Sequence, residues 1–105
     1  MAKDIKTIIQ EIEAHLVDGC GGGNYSDYYI GITKSIQNRL FGDHKVPKKG
    51  HCRIHREASN DTDARAVEKH FFDKGMQGAG GGGDEESIFI YAYKVSSLTV
   101  ESLEQ

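Results

Sequence analysis

At 105 residues the chain has room for one hydrophobic core and not for two. Its 37% apolar and 28% charged residues are those of a soluble, folded protein, and no apolar run approaches the ~20 residues of a membrane-spanning helix. A net charge of −3 argues against a protein that coats nucleic acid through bulk positive charge. The start, Met1 to Lys6, leads into an amphipathic pattern rather than the apolar centre of a signal peptide, so a cytoplasmic location is expected. With only Cys20 and Cys52 present, at a spacing that matches no paired pattern, reduced thiols are expected rather than a disulfide.

Residues 4–17 read as a helix: Ile5, Ile8, Ile9, Ile12 and Leu16 recur at three- and four-residue steps, Asp4 can cap the start, and Asp18-Gly19 ends it. His15 lies beside that stripe and reads as a surface or boundary histidine. The run Gly19-Cys20-Gly21-Gly22-Gly23-Asn24 is too glycine-rich for regular structure and reads as a flexible connection.

Tyr28 to Thr33 reads as a strand, with Tyr28, Ile30 and Ile32 on one face and Tyr29, Gly31 and Thr33 on the other. Gly31, with no side chain to pack, implies close approach by a backbone, a ligand or a bulky neighbour. A short helix over 35–41 follows directly, capped by Thr33 or Ser35, with Ile36 and Leu40 as its stripe and Gly42 as its stop. Arg39 lies beside that stripe, which aims its guanidinium back toward the strand.

Residues 45–50 read as a lysine-rich loop, and 51–57 as a second strand. The histidines His44, His51 and His55 beside Cys52 match no paired-ligand spacing for zinc. Asn60 to Asp63 is a strong helix start for a helix over 61–74 along Ala64, Val67, Phe71 and Phe72. Glu68 projects from that apolar stripe, and a carboxylate there needs a cation: an arginine such as Arg39 or Arg53, or a metal. Residues 78–86 are low-complexity and expected to be mobile. Residues 87–95 alternate Ile88, Ile90 and Ala92 against Phe89, Tyr91 and Tyr93, and apolar groups on both faces make an interior strand. The last residues read as a loose turn of helix or a frayed end. These elements predict an α+β (mixed α/β) domain: a small, mainly antiparallel three-stranded sheet flanked by three helices.

Charge is unevenly spread along the chain. Residues 34–56 hold Lys34, Arg39, Lys45, Lys48, Lys49, Arg53 and Arg56 against Asp43 alone, whereas both flanking segments are acidic. Such clustering is the footprint of a surface facing a polyanion, although a solvated basic loop is the plainer alternative.

Taken with Arg39, His44 and Glu68, the strand resembles the GIY-YIG nuclease domain over roughly residues 25–75. Tyr29-Ile30-Gly31 matches the second half of the family's name motif and Thr33 the hydroxyl residue after it. Arg39 falls where the family places its phosphate-binding arginine. His44 resembles the histidine or tyrosine a turn further on, one residue late, and Glu68 the helical glutamate that binds metal. The first half-motif, glycine-isoleucine-tyrosine on a preceding strand, is absent, and Gln77 is the nearest amide to the asparagine that the family often supplies after the glutamate helix.

The resemblance implies phosphodiester hydrolysis with one Mg²⁺ or Mn²⁺ held by Glu68, with Tyr29, Arg39 and His44 as catalytic residues. Nucleic acid, DNA ahead of RNA, would lie along Lys34, Arg39, Lys45, Lys48, Lys49 and Arg53. The second reading is a catalytically inactive module on the same fold that binds nucleic acid or a protein partner.

Overall fold

A computed structural model of the chain describes residues 2–47, 51–78 and 86–99. Lys48, Lys49 and most of the glycine-rich stretch after residue 78 lie outside the described residues, as does the expected turn beyond residue 99.

The first helix, α1 (Ile5–Asp18), begins where Asp4 accepts a hydrogen bond from the Thr7 amide at 2.7 Å and buries Ile8, Ile12 and Leu16. Its end is more ordered than the glycines suggest. The amides of Gly19 and Cys20 both donate to the His15 carbonyl, at 2.7 and 3.1 Å, and that of Gly22 to the Leu16 carbonyl at 2.7 Å. Gly21, Gly22 and Gly23 take φ values of 81°, 73° and 100°. The expected flexible connection is therefore a helix wrap that needs left-handed backbone, and satisfies carbonyls the helix would leave orphaned.

Strand β1 (Tyr28–Thr33) has the expected bounds, while β2 (Arg53–Glu57) and β3 (Phe89–Lys94) are slightly shorter than expected. Helix α2 (Asp61–Lys74) starts with the Asn60 side chain accepting from the Asp63 amide at 2.8 Å and ends at Gly75, whose φ is 117°. Between β1 and β2 the chain forms a π-helix over Gln37–Asp43 rather than an α-helix over 35–41. Its start carries both expected hydroxyls: the Ser35 amide donates to Thr33 Oγ1 at 3.0 Å, and the Asn38 amide to Ser35 Oγ at 3.3 Å.

The sheet order is β1-β3-β2, antiparallel throughout, so the last of the described strands in sequence is the middle one in space. Residues 89–94 are interior, as their two apolar faces require. On one face, Tyr28, Ile30, Ile32, Ile54, Ile90 and Ala92 meet Ile8, Ile12 and Leu16 of α1 and Ala64, Val67 and Phe71 of α2. The other face carries Tyr29, Tyr91 and Tyr93, closed over by Leu40 of the π-helix and by Val46.

The two cysteines form a disulfide, contrary to the expectation of reduced thiols, with Cα atoms 5.3 Å apart across 32 residues of sequence. Sequence spacing could not show this, because the helix wrap carries Cys20 and the entry to β2 carries Cys52. A cross-link closing a loop of this length contributes about 3–4 kcal/mol by restricting the unfolded chain.

Candidate functional site

Cross-strand partners in an antiparallel sheet share a face, so the pairing converts directly into rows of side chains. On the face opposite α1 and α2, Tyr29, Tyr93 and Arg53 form one row, and Gly31, Tyr91 and His55 the next. Tyr29 stacks on Tyr93 with centroids 5.5 Å apart, and the Tyr91 and Tyr93 rings lie within 6° of parallel. Gly31 is what lets the second row close. A Cβ on it would collide with the ring and hydroxyl of Tyr91, which occupies the space above Gly31. The bulky neighbour implied by the glycine is thus a tyrosine from the central strand.

His44 is fully buried over these rings. Its Nε2 lies 2.8 Å from the Tyr91 hydroxyl and its Nδ1 3.0 Å from that of Tyr93, so both ring nitrogens are engaged. The Tyr29 ring packs against the imidazole at 4.7 Å. In a neutral imidazole one nitrogen donates and the other accepts, so the two hydroxyls take opposite roles and form a Tyr-His-Tyr chain. The π-helix makes this possible. The His44 amide donates to the Arg39 carbonyl at 2.9 Å, a five-residue step that absorbs one extra residue in the turn. The position that looked one residue late in sequence is therefore brought onto the same side of the widened turn as Arg39.

Arg39 is partly buried. Its guanidinium bonds the Asp43 carboxylate at 3.2 Å and reaches the Tyr91 hydroxyl, so it points to β3 rather than only to the strand it follows. Burial raises the Tyr91 phenol well above its usual range; the Arg39 charge pulls it down, and Tyr29 and Glu68 push it up. Tyr91 is thus neutral at physiological pH and senses every candidate group at once.

Glu68 is 9% exposed. Burial holds its carboxyl above the ordinary carboxylate range, opposed by the Arg65 charge. Among the described residues it makes no hydrogen bond or ion pair, so the arginine partner that was the alternative to a metal is not Arg39 or Arg53: Arg39 is with Asp43, and Arg53 lies over the Phe41 ring at 5.1 Å. Burial disfavours the ionised form of a carboxylate without such a partner, and a cation beside it would favour that form again.

The basic segment divides. Lys34 and Lys45 are exposed and Arg53 is half-buried on the tyrosine face, while Arg56 turns to the other face and bonds Glu11 at 2.6 Å. Lys34 lies 3.9 Å from Glu86. Gln77 is no stand-in for the missing asparagine: its backbone bridges the outer edge of β1 and its side-chain amide donates to the Ser26 carbonyl.

Tyr29, Arg39 and His44 therefore meet at one place, with Glu68 close enough to act electrostatically on the shared Tyr91. Tyr91 and Tyr93 were missed as site residues. Their signal was present in the alternation of Phe89, Tyr91 and Tyr93, three aromatic residues on one face of a strand, two of them with hydroxyls. No protein-family model, curated protein or solved structure matches the chain.

Proposed function

We propose that this chain is a divalent-metal-dependent nuclease that hydrolyses phosphodiester bonds on a GIY-YIG-like domain whose first half-motif comes from the C-terminal strand. The observation that carries this reading is the place of Tyr91. The missing half-motif would lie on a strand antiparallel to Tyr29-Ile30-Gly31; β3 lies there, and Ile90-Tyr91 pairs with Ile32 and Gly31. The dipeptide absent upstream in sequence has a counterpart beside β1 in space, with Phe89 in place of the glycine.

In this reading Arg39, with Lys34 and Lys45, binds the phosphate diester. The Arg39 guanidinium now covers the Tyr91 hydroxyl, and a phosphate that draws it away uncovers that oxygen. Attack then needs a water to lose a proton: Tyr91 Oη accepts it as the phenol's own proton passes to His44 Nε2 over 2.8 Å, and the leaving oxygen takes a proton from solvent. Glu68 would hold Mg²⁺ or Mn²⁺, which supplies Lewis-acid stabilisation of charge on the phosphate when bound. A nucleic-acid partner, DNA before RNA, and a cytoplasmic location belong to the same proposal.

One observation favours the second reading, an inactive binding module. Tyr29, Tyr91 and Tyr93 are only 4%, 1% and 0% exposed, as in a structural core. Purified protein incubated with supercoiled plasmid and with structured RNA, with Mg²⁺ and with Mn²⁺, tests the choice beside Tyr91→Phe and Glu68→Gln. The nuclease reading expects cleavage by wild type alone. Cleavage by neither wild type nor variants, with salt-sensitive binding retained, selects the binding module; cleavage that survives in both variants places the activity elsewhere.

A further inference from the structure

Away from the tyrosine face, three metal-ligating side chains converge where α1 ends. His15, Cys20 and Cys52 each present a ligand atom, all within 4.8 Å of one another, and all three are partly exposed. We propose that this cluster is a redox-gated site for a thiophilic divalent cation, Zn²⁺, which takes the place of the Cys20–Cys52 disulfide when the pair is reduced.

The backbone is built to hold this arrangement. The amides of Gly19 and Cys20 both fold back to the His15 carbonyl, so Cys20 is fixed immediately beyond the histidine. Gly19 itself has an ordinary right-handed conformation, with φ −96° and ψ −24°, which any residue can adopt. Its lack of a side chain serves the imidazole instead: a Cβ there would lie 2.9 Å from His15 Cε1 and 3.0 Å from Nδ1. Glycine lets the ring fold over the helix end toward the sulfurs. Cys52 is held from the other side, where its carbonyl accepts the Lys94 amide of the central strand at 3.1 Å.

Two thiolates and an imidazole are the ligand set that zinc prefers, and neither Mg²⁺ nor Mn²⁺ suits it. Metal–ligand bonds of about 2.0–2.3 Å put tetrahedral ligand atoms ~3.3–3.8 Å apart, a separation the cluster reaches by small side-chain shifts once the S–S bond opens. The fourth position faces solvent and takes water. The step balances with a dithiol reductant: it gives two electrons and two protons to the disulfide and is itself oxidised to a disulfide, leaving Cys20 and Cys52 as thiols. Zn²⁺ then displaces both thiol protons to solvent. Either state ties α1 to the start of β2; only the reduced, metal-free state lacks the tie.

The 105-residue protein, reduced with a phosphine and freed of reductant, is titrated anaerobically with Co²⁺ as a spectroscopic probe and then with Zn²⁺. The expected result is one equivalent of cobalt with thiolate-to-metal charge-transfer and tetrahedral visible bands, displaced by zinc, and no uptake by the oxidised protein. His15→Gln, with its fold checked by circular dichroism and its disulfide by thiol counting, should bind at least about tenfold more weakly. On the wild type, zinc should shift the nuclear magnetic resonance signals of one of the five imidazoles, a readout that does not depend on the variant folding. Absence of cobalt uptake by the reduced protein, an unchanged affinity in folded His15→Gln, or zinc uptake that moves no imidazole would overturn the assignment.

Discussion

The two faces of one three-stranded sheet each carry a buried cluster, yet the clusters are built from different chemistry. On the α1–α2 face the contacts are Ile on Ile, Val and Phe, with Tyr28 as the exception at the margin. On the opposite face, Tyr29, Tyr91, Tyr93 and His44 are buried too, but they bring hydroxyls and ring nitrogens with them, and those of Tyr91, Tyr93 and His44 satisfy one another. The contrast teaches that burial alone does not separate core from site. What separates them is whether a side chain could be replaced by a hydrocarbon of the same shape without loss. Phe71 is already such a hydrocarbon; His44, bonded at both nitrogens, is not.

The sharpest way to test that difference is to disturb each face and compare stability with activity. Phe71→Ala, in the fully buried helix-facing cluster, should cost about 3–5 kcal/mol through lost burial and a residual cavity, seen as a large fall in the urea midpoint, with any activity lost only as the fold is lost. Gly31→Ala should cost about 1–3 kcal/mol by overpacking, and it should perturb the Tyr91 and Tyr93 ring signals more than those of Tyr28. Tyr91→Phe keeps the ring and removes only the hydroxyl beside His44 Nε2, for about 1–2 kcal/mol, while the proposed cleavage should fall to background. A variant equally active with the phenylalanine would return the tyrosine face to the status of plain core.

Glu68→Gln should have the smallest effect on stability and the opposite sign. The folded carboxyl is raised above its unfolded value by burial, so ionising it destabilises the fold. That penalty is absent below the unfolded pKa, grows as the pH rises through the raised folded value, and is complete above it. Thermal melts of wild type and Glu68→Gln should therefore converge in acid, with the variant melting slightly higher at neutral pH when no divalent cation is added. Added Mg²⁺ or Mn²⁺ should raise the wild-type melting temperature and leave the variant's unchanged. A variant that melts well below wild type would mean Glu68 has a structural partner.

Most of the architecture was legible because it rests on periodicity and capping. Asp4 and Asn60 cap the helices expected of them, and β1 has the bounds its alternation gives. Tyr29-Ile30-Gly31, Arg39 and His44 were legible as a group because they lie within one stretch of chain. What sequence could not show was which strand lies beside β1, since hydrophobic alternation fixes faces but not neighbours. That hid Tyr91, more than fifty residues downstream of Tyr29. The π-helix was hidden for a local reason: a five-residue turn has no side-chain signature, and only the one-residue delay of His44 hinted at it. The cysteine pairing was invisible because spacing along the chain says nothing of distance in space, and of the two cations expected for Glu68, an arginine such as Arg39 or Arg53 or a metal, the described residues supply neither arginine.

The position of β3 also sets an order of events during synthesis. β1 and β2 have no hydrogen bonds to each other, so a nascent chain that has emerged as far as residue 78 carries two strands that cannot yet pair, with apolar helices ready to cover a sheet that is not there. Only when residues 89–94 leave the ribosome can both ladders close, in a single late step that joins β3 to β1 and β2 through contacts of long sequence separation. Until then the half-made sheet exposes strand edges to neighbouring chains, so this protein should depend on chaperone protection during translation more than its small size would suggest.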